Sequence, residues 1–182
     1  MRLLTAIGFA VLVIASVASA QVPTSGNVFF GYSYYSADLS SLGRSNLNGW
    51  TGSLEGKLVP WVGLVADFSE TYGNETLPVL CPGPPCPNAS ISAHEYNMLF
   101  GPRVSVSVGK LRPFAEALFG AGHVATNGAG SDTSFSTALG GGLDYRLFRP
   151  IAVRFEGDYL QTRFFGTTQN NVRVSTGIVF RF

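Results

Sequence analysis

The sequence predicts an all-β chain: an eight-stranded antiparallel transmembrane β-barrel with its strands in up-and-down order. Three observations predict it. Eight segments between Val28 and Phe182 alternate in side-chain polarity with a period of two, as strands do when their two faces meet different surroundings. Charged residues make up 13% of the chain, against about 25% in soluble domains, and mean hydropathy is +0.22. Yet after residue 20 no run is long and apolar enough for a membrane helix. The connections also run long, short, long, uncertain, long, short and medium, as in a barrel with tight turns at one end and larger loops at the other.

The 182 residues suffice for one domain. Met1 to Ala20 precede it and have the form of a signal peptide. Arg2 supplies the positive start, Leu3 to Val17 the apolar stretch, and Ala18-Ser19-Ala20 the small-residue cleavage site. The expected mature barrel is 21–182. An uncleaved anchor helix is the rival reading, and the short apolar stretch argues against it. No cysteine follows the site, so no lipid anchor is expected there.

The first strand is Val28 to Tyr35, with Val28, Phe30, Tyr32 and Tyr34 on one face. Ala37 to Asn48 reads as a loop. The second strand, Trp50 to Leu58, sets Trp50, Leu54 and Leu58 outward and Glu55 and Lys57 inward. Pro60 and Trp61 mark a turn before the third strand, Val62 to Ser69, with Asp67 inward. Glu70 to Ala93 reads as the longest irregular segment and holds five of the ten prolines. The fourth strand is Tyr96 to Val104, with Glu95, Asn97 and Arg103 inward and Pro102 near its end. Ser105 to Arg112 extends that strand or turns at Gly109-Lys110. The fifth strand, Pro113 to Gly122, has Glu116 inward, because the opposite phase puts a carboxylate in lipid.

His123 to Asp132 reads as a loop. The sixth strand, Phe135 to Arg146, sets Asp144 and Arg146 inward. Its Gly140-Gly141-Gly142 is no phosphate cradle, since no helix follows; it marks curvature or close backbone approach. Phe148 to Pro150 is a turn. The seventh strand, Ile151 to Gln161, sets Arg154, Glu156 and Asp158 inward. Thr162 to Gln169 is a loop. The last strand, Asn170 to Phe182, sets Arg173 and Arg181 inward.

Running the strands alternately up and down places Tyr34, Trp50, Phe68, Tyr96, Phe135 and Tyr159 at the loop end. Trp61, Tyr145, Phe148, Phe180 and Phe182 fall at the turn end. Two such girdles are expected where a lipid belt meets its interfaces. The inward set holds seven acids (Glu55, Asp67, Glu95, Glu116, Asp144, Glu156 and Asp158) and six bases (Lys57, Arg103, Arg146, Arg154, Arg173 and Arg181). Eight strands enclose a space that side chains can fill, so opposite charges there are expected to pair. A proton or ion path, or buried catalytic carboxylates, is the functional alternative.

Cys81 and Cys86 stand in CPGPPC, inside the predicted second outer loop, and an intraloop disulfide is the first reading in an exported chain. Two cysteines alone make a poor zinc site, and neither His94 nor His123 has convincing ligand spacing. Asn74-Glu-Thr and Asn88-Ala-Ser match the glycosylation acceptor pattern by chance in a bacterial setting. Net charge of +1 gives no reason to expect nucleic acid. No cofactor, metal or catalytic residue is expected.

The Val28 to Tyr35 strand, the interior charges Glu116, Arg154 and Glu156, and the ending STGIVFRF resemble the OmpA/OmpX-type small outer-membrane barrels, including the opacity-like porin-family proteins. The resemblance covers 21–182 and is expected to lack the peptidoglycan-binding domain of longer members. It implies the outer membrane of a Gram-negative-type bacterium, with outer-membrane lipid as surroundings and a monomeric state. It also implies a C-terminal strand, ending on Phe180 and Phe182, that the barrel-assembly machinery reads. The function expected is a non-enzymatic structural or surface role through the loops, with an unknown surface ligand. The alternatives are a narrow porin-like channel, a lipid-modifying enzyme, and a soluble lipocalin-like periplasmic barrel with its faces inverted. The enzyme is disfavoured because no outward Ser-His-acid set appears, and His94 and Glu95 alternate faces.

Overall fold

The computed structural model describes residues 25–38, 44–78, 88–127 and 130–182. Residues 1–20 with their cleavage site, and Cys81 and Cys86, lie outside the described residues.

Period-two alternation builds eight strands: β1 Gly26–Asp38, β2 Arg44–Val59, β3 Val62–Pro78, β4 Asn88–Ser105, β5 Leu111–Thr126, β6 Gly130–Phe148, β7 Ile151–Thr162 and β8 Gln169–Arg181. Each pairs antiparallel with the next, and β8 pairs back with β1 from Asn27↔Arg181 to Ser36↔Val172. The sheet is therefore closed, and its backbone groups need no lipid-facing partner. At the turn end lie 60–61, 106–110 and 149–150, together with both ends of the barrel, where the Gly26 amide donates to the Phe182 carbonyl at 2.9 Å.

The phase is the one alternation predicts. Phe30, Leu54, Met98, Phe119, Leu139 and Phe155 are exposed on the wall, while Asn27, Glu55, Arg103, Arg154 and Arg173 are buried inside. Neighbouring outward rings stack across strands: Phe30 on Trp50 at 5.7 Å, Trp50 on Phe68 at 5.3 Å, and Phe100 edge-on to Phe119 at 6.3 Å. Cross-strand aromatic pairs of this kind stabilise a sheet.

The strands are longer than the alternation indicates. The stretch Glu70 to Ala93 is mostly strand, since β3 continues to Pro78 and β4 begins at Asn88, in register throughout. Likewise β1 runs to Asp38 and β2 starts at Arg44, while β5 runs to Thr126 and β6 starts at Gly130. The three strands β3, β4 and β6 have 17, 18 and 19 residues, whereas crossing the hydrocarbon takes about 9–11. Above the lipid the outer face meets water, so the pattern fades while the backbone ladder continues. The uncertain connection resolves as a turn at 106–110, closed by a bridge between Val108 and Leu111.

Two inward glycines of β6 make room for the interior. A Cβ at Gly142 would stand 2.1 Å from the Phe155 carbonyl oxygen and 2.8 Å from the Phe114 ring; one at Gly140 would stand 2.0 Å from Asp158 Oδ1. The triple glycine thus yields its volume to an aromatic ring on one level and a carboxylate on the next.

Candidate functional site

Chemistry concentrates in the barrel interior, and it differs along the axis. At the turn end Glu55 is the hub. Its Oε1 accepts from Arg112 Nη2 at 2.8 Å and lies 2.9 Å from Lys57 Nζ. Its Oε2 accepts from Asn27 Nδ2 at 2.7 Å and Arg103 Nη1 at 3.4 Å. Asp144 takes the fork of Arg154 at 2.7 and 3.2 Å and also Arg181 Nη2 at 3.2 Å.

One level deeper, Arg103 donates to Glu116 at 2.5 Å and to Glu156 at 3.2 Å. The Phe114 ring lies between two guanidiniums, 4.3 Å from that of Arg103 and 4.6 Å from that of Arg154. Above them Arg173 donates to Asp67 at 2.7 Å, Asp158 at 2.9 Å and Ser69 at 3.1 Å. Arginine suits these positions because its planar donors serve several carboxylates at once. Carboxylate atoms of Glu116, Glu156 and Asp158 lie within 4.8 Å of one another. They are countered by Arg103 and Arg173, with Arg154 Nη1 3.6 Å from Glu156, so guanidiniums already occupy the place of a cation.

Toward the loop end the interior turns apolar. Tyr35, Leu47, Val65, Leu99, Leu118, Ala138 and Leu160 pack as one buried cluster. Phe164, from the 3-10 turn Phe164–Gly166 after β7, is buried too, and a Cβ at Gly122 would meet its ring at 3.0 Å. Glu95 sits in this half and accepts from the Tyr35 hydroxyl at 2.8 Å and Asn97 Nδ2 at 3.0 Å.

Twelve of the thirteen predicted interior charges thus meet a partner inside the barrel, but two depart from the expected pairing. Among the described residues Glu95 has no ion pair: neutral donors satisfy it, because the neighbouring inward positions on β4 are Asn97 and Leu99. Arg146 stands at the rim and donates to the Gly109 carbonyl at 2.9 Å, since the turn at 106–110 reaches it before any carboxylate does. Arg112, buried and bound to Glu55 and to Ser105 at 2.8 Å, was missed because its segment read as a turn. Asn27 and Tyr35 were missed as polar partners; their inward phase was the only signal.

On the outer wall near the loop end, His123 Nδ1 and Thr133 Oγ1 are 2.7 Å apart, and His94 lies 4.0 Å from Glu70, which also accepts from Trp50 Nε1 at 3.1 Å. The hydroxyl and the carboxylate attend different imidazoles, so no hydroxyl-imidazole-carboxylate relay closes among the described residues.

Residues 6–182 match the family model described as outer membrane protein beta-barrel domain. No curated protein matches the chain in sequence. Among solved structures it is similar to Neisserial surface protein A, at 13% identity and a TM-score of 0.66, over 86% of this chain and 97% of that one. It is similar to Ail, the attachment invasion locus protein of Yersinia pestis, at 14% identity and a TM-score of 0.60, over 87% and 98%. The N-terminal β-barrel domain of Pseudomonas aeruginosa OprF follows at 16% and 0.52, over 89% and 100%. At these identities the likeness is one of fold.

Proposed function

The chain belongs to the outer membrane protein β-barrel family, and from that premise we propose that it is a non-enzymatic scaffold that presents its loop end at the cell surface. The turns face the periplasm, as short connections do in this class. Export is directed by a signal peptide cleaved after Ala20, the barrel is a monomer, and the assembly machinery engages the strand ending on Phe180 and Phe182.

The observation that carries this reading is the filled interior. Arg103, Arg154 and Arg173 are fully buried and bridged to carboxylates, and Leu99, Leu118 and Leu160 close the loop half. A water column would have to break ion pairs at one level and wet an apolar layer at the next. Strands β3 and β4 meanwhile reach beyond the length that lipid requires. Function on loops held by a rigid scaffold is the usual division of labour.

The test is electrical and structural together. The purified barrel in a planar bilayer is expected to show negligible stable conductance, and deleting 79–87 is expected to leave a heat-modifiable folded band on a gel. Steady ion-selective channels from the unmodified protein would make the interior the functional site instead.

A further inference from the structure

The turn end carries a charge pattern that the scaffold role leaves unused. Lys110, Arg146 and Arg149 lie there, and among the described residues none of them has an ion pair; Arg146 and Lys110 adjoin, the Arg146 amide donating to the Lys110 carbonyl at 2.9 Å. The turns and strand ends at this rim, 58–61, 105–112 and 146–151, contain no acidic residue. The loop end is the opposite, with Asp38, Glu70, Glu75 and Asp132 against Arg44 and Arg163. With no acidic side chain in these turns to pair with, the cations of this rim are open to a counter-charge from outside the chain.

The rim is also shaped. A hollow of about 240 Å³ is lined by Arg146, Phe148, Arg149, Pro150, Arg181 and Phe182. The guanidinium of Arg181 is held on one side by Asp144 at 3.2 Å, which fixes its position under the hollow. Phe148 and Phe182 are 60% and 64% exposed, so the hollow opens sideways onto the lipid-facing wall rather than only into water. Three guanidiniums with two aromatic walls suit a phosphate that has a hydrocarbon attached to it. A soluble acidic glycan would satisfy the arginines, but to cover the rings it would have to enter the wall that faces lipid.

We propose that this hollow binds the phosphate headgroup of an anionic phospholipid from the leaflet at the turn end, with Arg146 and Arg149 as the selecting charges. Phosphatidylglycerol is the probe, because it differs from phosphatidylcholine in net charge while both carry a phosphodiester and two chains. Basic side chains at a membrane surface favour anionic lipid.

Detergent-solubilised full chain would be offered equal phosphatidylglycerol and phosphatidylcholine, and the adducts counted by native mass spectrometry. The unmodified barrel is expected to retain phosphatidylglycerol preferentially. In the Arg146→Gln, Arg149→Gln double variant the preference is expected to fall roughly 30-fold, and in Arg163→Gln at the loop end to stay unchanged. Should the double variant fail to give the heat-modifiable band, Arg149→Gln alone, whose exposed side chain holds no strand, is expected to lower it roughly 5-fold. Equal retention of both lipids, or an unchanged preference in folded Arg149→Gln, overturns the proposal. So does displacement of the lipid by equimolar inorganic phosphate, or by an acidic peptidoglycan fragment, since the site would then read a soluble anion.

Discussion

The two halves of the interior are filled by opposite means. The turn half is packed with ions: Glu55, Arg103, Glu116, Asp144, Arg154 and Glu156 are buried and linked by bonds of 2.5 to 3.4 Å. The loop half is packed with Leu47, Leu99, Leu118, Leu160 and Phe164, and its one buried acid is met by Tyr35 and Asn97. Both halves are closed by buried side chains, but the consequences of damage differ. An ion network fails by leaving a charge uncompensated, which is costly well beyond the worth of the pair. An apolar layer fails by leaving a cavity, whose cost depends on how far the walls relax.

The sharpest break should come from Arg103→Met, which takes a guanidinium from Glu55, Glu116 and Glu156 at once and leaves Glu116 without an ion pair among the described residues. Urea unfolding of the refolded barrel is expected to show a loss of about 3–5 kcal/mol. Leu160→Ala in the other half is expected to cost about 2–4 kcal/mol through a cavity, with no change in salt dependence. If the halves are independent, combining the two changes should add within about 0.5 kcal/mol; a larger deviation would mean the interior acts as one unit.

A pair of matched substitutions sharpens the contrast. Glu116→Gln removes one of three charged partners of the buried Arg103 guanidinium and is expected to destabilise by about 3 kcal/mol. Glu95→Gln keeps an acceptor for the Tyr35 hydroxyl and Asn97 and should cost under about 1 kcal/mol. Equal losses at the two positions would show that Glu95 has an electrostatic role its neighbours do not reveal. The smallest effect is expected from Cys81→Ser: if the two cysteines bridge only within their loop, the folded gel band should be unchanged while the free-thiol mass signature alters.

The contrast between halves also explains what could be read in advance. The face on which each charge lies follows from alternation alone, so Glu55, Asp67, Arg103, Glu116, Arg154 and Arg173 could be placed inside from their phase. Their partners could not, because pairing joins strands far apart in sequence: Arg103 on β4 meets Glu55 on β2 and Glu156 on β7. Strand ends were hidden for a different reason. In Glu70 to Pro78 and Asn88 to Ala93 no lipid imposes an apolar face, yet the register continues without a break. Phe164 was hidden because a residue outside the regular strands carries no period to be read.

Arg173 has a consequence for the order of events in assembly. It lies on the last strand, and it is the cation for Asp67 on β3 and Asp158 on β7. Asp158 faces Arg173 across the β7–β8 pair and can meet it as soon as that hairpin forms, but until β8 seats against β1, Asp67 lacks this guanidinium and must keep its water. Closing the seam and drying the middle of the barrel are therefore the same step. A half-closed sheet leaves Asp67 to water, and insertion of the final strand gives it Arg173 instead. The C-terminal strand is in this sense the latch of the barrel as well as its last edge.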